Sequence, residues 1–136
     1  MPYKTENIVV SNGAKQSIAN VMLALLNPGD EVIVFSPFWV SYDALVRLAE
    51  ATPVLVKGGI ENDFKVTAQQ VEKAITSKTK AIIFSSPCNP TGSVFSRKEL
   101  EDFEQVCKAA KIDPGEQISD WIRIFLREKR NASQTP

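Results

Sequence analysis

Glu31-Val32-Ile33-Val34-Phe35, set between Asn27-Pro28-Gly29-Asp30 and Ser36-Pro37, decides the fold class. An unbroken apolar run bounded by turn formers is the pattern of a strand buried on both faces. Such strands sit in parallel sheets with helices covering each side. Working toward the N-terminus, Gly13 to Leu26 turns helical, with Ile18, Met22 and Leu25 on one face and no internal Gly or Pro. Ahead of it, Ile8-Val9-Val10 is a short apolar run that reads as a strand leading into Ser11-Asn12-Gly13. Toward the C-terminus, Ser41 to Glu50 reads as a helix carrying Leu45, Leu48 and Ala49, and Pro53-Val54-Leu55-Val56 as a strand ended by Lys57-Gly58-Gly59.

The next helix marks its own start. Thr67 and Gln70 have the spacing of a capping box, in which each side chain satisfies the other residue's free backbone N–H, and Val71, Ala74 and Ile75 supply the inner face. Ala81-Ile82-Ile83-Phe84 is a further buried strand, closed by Ser85-Ser86-Pro87-Cys88-Asn89-Pro90-Thr91-Gly92. Ser96 and Glu99 form a second capping box, with Phe95 and Leu100 placed as a hydrophobic staple, and that helix runs to about Lys111. Strands alternating with helices predict an α/β domain: a mainly parallel sheet with helices on both faces.

The last segment differs in kind. Asp113-Pro114-Gly115-Glu116 has Asp as N-cap and Pro at the first helical position, and Ile118, Trp121, Ile122, Phe125 and Leu126 repeat at helical spacing. This predicts an amphipathic helix over 114–130 and a polar, frayed end over 131–136. Residues 1–112 are thus expected to form one unit and 113–136 a divergent tail.

Composition narrows the chemistry. Sixteen basic residues balance sixteen acidic ones among 136, so no charge excess draws the chain to nucleic acid or to an anionic membrane. Histidine is absent, which removes Ser-His-Asp and Cys-His catalysis and His-ligated metal sites. The two cysteines, Cys88 and Cys107, make neither a disulfide framework nor a CxxC knuckle, so no metal site is expected. The polar start and the lack of any apolar run near ~20 residues predict a cytoplasmic protein without a signal peptide or membrane span.

Three loops following the apparent strands are the candidate sites, because parallel sheets bind ligands at the carboxyl ends of their strands. Ser11-Asn12-Gly13-Ala14-Lys15-Gln16 places a glycine at a helix start, where backbone N–H groups and the helix dipole favour an anion, or where it simply caps the helix. Ser36-Pro37-Phe38-Trp39-Val40-Ser41-Tyr42 offers an indole face for an aromatic ligand, or a core aromatic. Pro87-Cys88-Asn89-Pro90-Thr91-Gly92 is a rigid turn around a polar amide, a candidate for cis geometry or for turn chemistry alone.

Taken together, and with Asn27-Pro28-Gly29-Asp30-Glu31-Val32 between the first and second, these motifs resemble the large domain of the class I aminotransferases. These are fold-type I enzymes dependent on pyridoxal 5′-phosphate (PLP), and the bacterial aspartate aminotransferase-like branch is the most similar. The resemblance runs from about Tyr3 to Lys111. It implies that Gly13, Ala14 and Lys15 hold the PLP phosphate through their backbone amides, and that Trp39 stacks on the pyridine ring. It further implies that Asn89 bonds the ring hydroxyl near the substrate carboxylate, and that the bonds before Pro37 and Pro90 are cis. Tyr42 and Cys88 read as structural. Amino acid and 2-oxo acid substrates and a homodimer are the family's partners.

The resemblance also implies what to look for further on. The family's Schiff-base lysine lies in a Ser-x-x-Lys stretch downstream of the Asn-Pro-Thr-Gly turn, and this sequence contains no such stretch. The substrate-gripping arginine and an N-terminal closing segment are not found either. Ile118-Ser119-Asp120 resembles the start of the family's Ile-Ser-Asp-Glu-Ile-Tyr strand, whose aspartate pairs with the pyridine nitrogen. It continues here as Trp121-Ile122-Arg123, and helical spacing would turn Asp120 to solvent. The expectation is a truncated aminotransferase with no catalytic residue of its own, inactive alone. The alternative is a non-catalytic PLP-binding or associative fragment.

Overall fold

The computed structural model describes residues 4–110. In chain order the elements are α1 (Gly13–Leu25), β1 (Glu31–Ser36), α2 (Ser41–Leu48), β2 (Thr52–Lys57), α3 (Ala68–Ala74), β3 (Thr79–Ile83) and α4 (Arg97–Ala109), with short 3-10 turns at Thr5–Asn7 and Ile60–Asn62. The expected helix over 114–130, the end over 131–136 and Asp120 lie outside the described residues.

The sheet has the order β2-β1-β3, with both pairings parallel. β1 is central, and its burial follows the period of the strand. Val32 and Val34 join one core with Ile18 and Met22 of α1 and Leu45 and Val46 of α2. Ile33 and Phe35 join the other with Val71 of α3 and Phe103 of α4. Helices therefore cover both faces, as the unbroken apolar run predicts. On the second face Phe35 stacks on Phe84 at 4.9 Å, and Phe95 and Phe103 close an aromatic cluster around them. Pro53 lies on the outer strand β2, where a missing N–H is tolerated.

The first crossover steps from β1 to β2 and the second back past β1 from β2 to β3, on opposite faces, so they share one hand. Local chemistry sets the helix starts. The Thr67 N–H donates to Gln70 Oε1 at 2.9 Å while the Gln70 N–H donates to Thr67 Oγ at 3.3 Å. The Ser96 N–H donates to Glu99 Oε2 at 2.7 Å, and the Glu99 N–H to Ser96 Oγ at 3.3 Å. Both capping boxes form as their spacing predicts.

One expectation is corrected. Ile8-Val9-Val10 pairs with no strand among the described residues, and these side chains are 60%, 78% and 93% exposed. Apolar β-branched residues favour extended backbone, but a strand exists only where a neighbour accepts its ladder of hydrogen bonds.

Candidate functional site

The helix after β1 leaves for one face of the sheet and the helix after β3 for the other, although the two strands are adjacent. The outgoing loops diverge and leave a crevice at the carboxyl ends, the place where open α/β sheets take ligands. Two loops named from sequence, Ser36–Tyr42 and Pro87–Gly92, border this crevice. The Cys88 thiol donates to the Pro37 carbonyl at 3.4 Å and ties one loop to the other.

The third loop joins them through a side chain. Lys15 in the first turn of α1 holds its Nζ 5.2 Å from the centroid of the Trp39 ring. Trp39 is half-buried against the α1–α2 core, and Tyr42 meets it edge-on at 5.7 Å with the rings at 85°. The entry into α1 is unusual. The Gly13 N–H donates to the Ser11 carbonyl at 2.9 Å, which makes an inverse γ-turn at Asn12. Gly13 then takes φ +79°, a left-handed value that glycine adopts without strain. Asn12 gives no side-chain cap; instead its own N–H is taken by Gln16 Oε1. Helix geometry leaves the Ala14 and Lys15 amides without an intrahelical acceptor, and no cap covers them. Gly13, Ala14 and Lys15 are all exposed. The result is an exposed helix start with uncapped amides beside an indole face.

The Asn89 turn is held from within. The Cys88 N–H donates to the Ser93 carbonyl and the Gly92 N–H to the Cys88 carbonyl, both at 2.8 Å, with Gly92 at φ +79°. The Asn89 N–H donates to Ser85 Oγ at 3.1 Å, and the Asn89 side chain is exposed. Ser93 Oγ in turn donates to the Asp63 carbonyl, which anchors the turn to the loop after β2. The bonds before Pro37 and Pro90 are cis, as the resemblance implies. The bond before Pro87 is cis as well, which no sequence feature announced.

Beneath these loops lies a small pocket of about 10 Å³, room for a single water. Phe35, Phe84 and Phe95 line its apolar side, and Tyr42, Ser85 and Cys88 its polar one. Burial raises the Tyr42 hydroxyl above its ordinary pKa, partly offset by the neighbouring Ser85 side chain. No group of His, Cys, Asp or Glu among the described residues is arranged to hold a metal. No described helix is long and apolar enough to cross a membrane.

The structure thus brings Gly13, Ala14 and Lys15 together with Trp39. It brings Asn89 to the same crevice through its neighbour Cys88 rather than through its own side chain. Tyr42, which the sequence reads as structural, meets Trp39, and Ser85, to which the sequence gives no role, accepts from the Asn89 N–H. The one signal for Tyr42 was its position three residues after Trp39, on the first turn of a helix.

Residues 1–114 match the family described as aminotransferase class I and II. Among curated relatives, a probable aspartate/prephenate aminotransferase of Rickettsia conorii is 48% identical over 106 residues, 78% of this chain and 26% of that protein. An aspartate/prephenate aminotransferase of Nitrosomonas europaea is 51% identical over 94 residues, 69% of this chain and 24% of the relative. The aspartate aminotransferase of Thermotoga maritima superimposes with a TM-score of 0.73 at 46% identity, covering 75% of this chain and 27% of that structure. The chain spans about a quarter of the length of the curated relatives it matches.

Proposed function

This chain belongs to the class I and II aminotransferase family, and on that premise we propose that it carries the PLP-binding part of an aspartate aminotransferase-like enzyme. The activity of the whole protein would be amino-group transfer from an amino acid to a 2-oxo acid. Residues 1–112 would be part of the large domain and 113–136 a divergent tail, in a cytoplasmic protein. The observation that carries the reading is the Lys15 ammonium lying over the face of Trp39. That contact supports reading the start of α1 as the anion site and Trp39 as the stacking platform, side by side at the switch point of the sheet.

The residues present fit the group. A phosphate dianion suits the uncapped amides of Ala14 and Lys15, where partial positive charge gathers at the start of α1. Gly13 allows that close approach because its left-handed backbone carries no side chain. Trp39 presents a flat apolar face to a pyridine ring, worth ~0.5–1.5 kcal/mol beyond area burial. The exposed Asn89 amide offers a donor to a phenolic oxygen. Bound PLP supplies the electron sink that lets an amino acid lose its α-proton. The chain's own residues bind and orient; none of them is assigned the proton transfer. The 136-residue chain alone is therefore proposed to be inactive, which makes a non-catalytic PLP-binding or associative fragment the second reading.

Equilibrium dialysis tests this directly. The purified chain should take up one PLP saturably, inorganic phosphate should compete, and Trp39→Ala should weaken uptake by about tenfold. Uptake that is unsaturable, or untouched by both phosphate and Trp39→Ala, would contradict the reading. Turnover of aspartate with a 2-oxo acid by the pure chain would contradict its proposed inactivity.

A further inference from the structure

Ser93 is 6% exposed, and its hydroxyl joins two loops 30 residues apart in the chain. Ser93 Oγ donates to the Asp63 carbonyl. It accepts from Thr91 Oγ1 at 2.9 Å, and Thr91 Oγ1 in turn accepts the Ser93 N–H at 3.2 Å. The bonds therefore run one way, from the Ser93 amide through both hydroxyls to the Asp63 carbonyl. The Ser93 carbonyl accepts the Cys88 N–H at 2.8 Å, one residue before Asn89. Ser93 thus closes the Asn89 turn with its backbone and reaches the loop after β2 with its side chain. A buried hydroxyl costs free energy unless it is bonded, so filling space alone would favour alanine here.

The loop that Ser93 reaches is braced independently. The Phe64 N–H donates to the Gly59 carbonyl at 2.8 Å, the Lys65 N–H to the Asn62 carbonyl at 2.9 Å, and Asn62 Nδ2 to the Lys65 carbonyl at 3.0 Å. Lys65 Nζ pairs with Glu99 on α4 at 2.7 Å. Asp63 and Phe64 hold left-handed backbone, and Gly58 packs beneath the Phe64 carbonyl with no room for a Cβ. We propose that Ser93 is a positioning residue: through its hydroxyl the Asn89 turn takes its place from the loop after β2 rather than from its own bonds alone. The Cys88 thiol on the Pro37 carbonyl then straps the same turn to the loop that carries Trp39. The inference rests on the cofactor reading for what Asn89 and Trp39 face, but not for the bonds themselves.

The test uses the full chain. Ser93→Ala removes the hydroxyl and keeps the backbone bonds of the turn. It should shift the Asp63 carbonyl and Asn89 amide resonances together in a ¹³C,¹⁵N-labelled sample, and weaken PLP binding by about threefold. Thr79→Ala is the control for plain destabilisation. It also removes a buried hydroxyl, one that accepts the Thr76 N–H at 2.9 Å at the start of β3. It should lower the melting temperature and leave both resonances and the PLP affinity in place. Gly58→Ala displaces the loop from beneath, and should move the Asn89 amide in the wild-type background but not beside Ser93→Ala, where the bond that transmits the displacement is gone. Should Gly58→Ala fail to fold, the comparison of Ser93→Ala with Thr79→Ala still decides. An Asn89 amide unmoved by Ser93→Ala, or moved as far by Thr79→Ala, overturns the proposal. So does an Asn89 amide that Gly58→Ala moves equally in both backgrounds. A wild-type chain that takes up no PLP would overturn the cofactor reading, and the resonances would still decide the role of Ser93.

Discussion

The Lys15 Nζ lies 5.2 Å from the centroid of the Trp39 ring, which joins the first turn of α1 to the loop that follows β1. An exposed cation over an indole contributes ~0.5–1 kcal/mol, so the contact is weak and its value lies in what it places together. An anion held at the turn of Gly13 and a flat ligand on Trp39 would occupy adjoining space.

Backbone and side chain of Lys15 can be separated by mutation. Lys15→Gln keeps the amide and is expected to change PLP affinity by no more than about threefold. Gly13→Val forces a β-branched residue to φ +79°, costing ~1–3 kcal/mol of backbone strain, and should lower the affinity at least tenfold. Equilibrium dialysis of the two variants checks the order. A larger loss from Lys15→Gln than from Gly13→Val would assign the anion to the ammonium instead.

Acid should loosen the second face of the domain. Lys65 Nζ lies 2.7 Å from Glu99 Oε1, and this contact, helped by the Ser96 amide, lowers the Glu99 carboxyl to about 2. A folded pKa below the unfolded one stabilises the protein above the unfolded value of about 4.5, and that contribution fades as pH falls toward 2. With the Glu99 side chain 32% exposed, solvent screening limits it to ~1–2 kcal/mol. Melting temperature measured from pH 7 down to pH 3 should fall less steeply in Glu99→Gln than in the wild type. Parallel curves would remove this ion pair from the acid response.

Gly58 is a tight spot of a different kind. A Cβ placed there would collide with the Phe64 carbonyl oxygen and stand 2.8 Å from the Lys65 carbonyl carbon. These are backbone atoms that cannot swing aside, and Asp63 and Phe64 already hold left-handed φ values of 54° and 56°. Gly58→Ala should destabilise the chain by ~2 kcal/mol or more, read as a lower denaturant midpoint at unchanged m-value. Wild-type stability in that variant would mean the loop after β2 is free to move.

The contrast between these features explains what the sequence could disclose. The run Glu31–Phe35 and the pairs Thr67–Gln70 and Ser96–Glu99 are local, and their chemistry is complete within a few residues, so they were legible. Ile8-Val9-Val10 has the same composition as a strand but lacks the partner that makes one, a non-local fact. Gly58 under Phe64 and the Cys88 thiol on Pro37 likewise join segments that only the folded chain brings together. Lys15, Trp39 and Asn89 were named from motif order, yet only the folded chain places Lys15 over Trp39.

The most direct measurement is the fluorescence of Trp39 during a PLP titration of the Trp121→Phe chain, in which Trp39 is the sole tryptophan. Saturable quenching that Gly13→Val abolishes and inorganic phosphate reverses is the expected result, since ring and phosphate would bind the indole and the α1 amides together. Quenching that rises linearly with PLP, or that Gly13→Val leaves unchanged, would contradict a cofactor site at these loops.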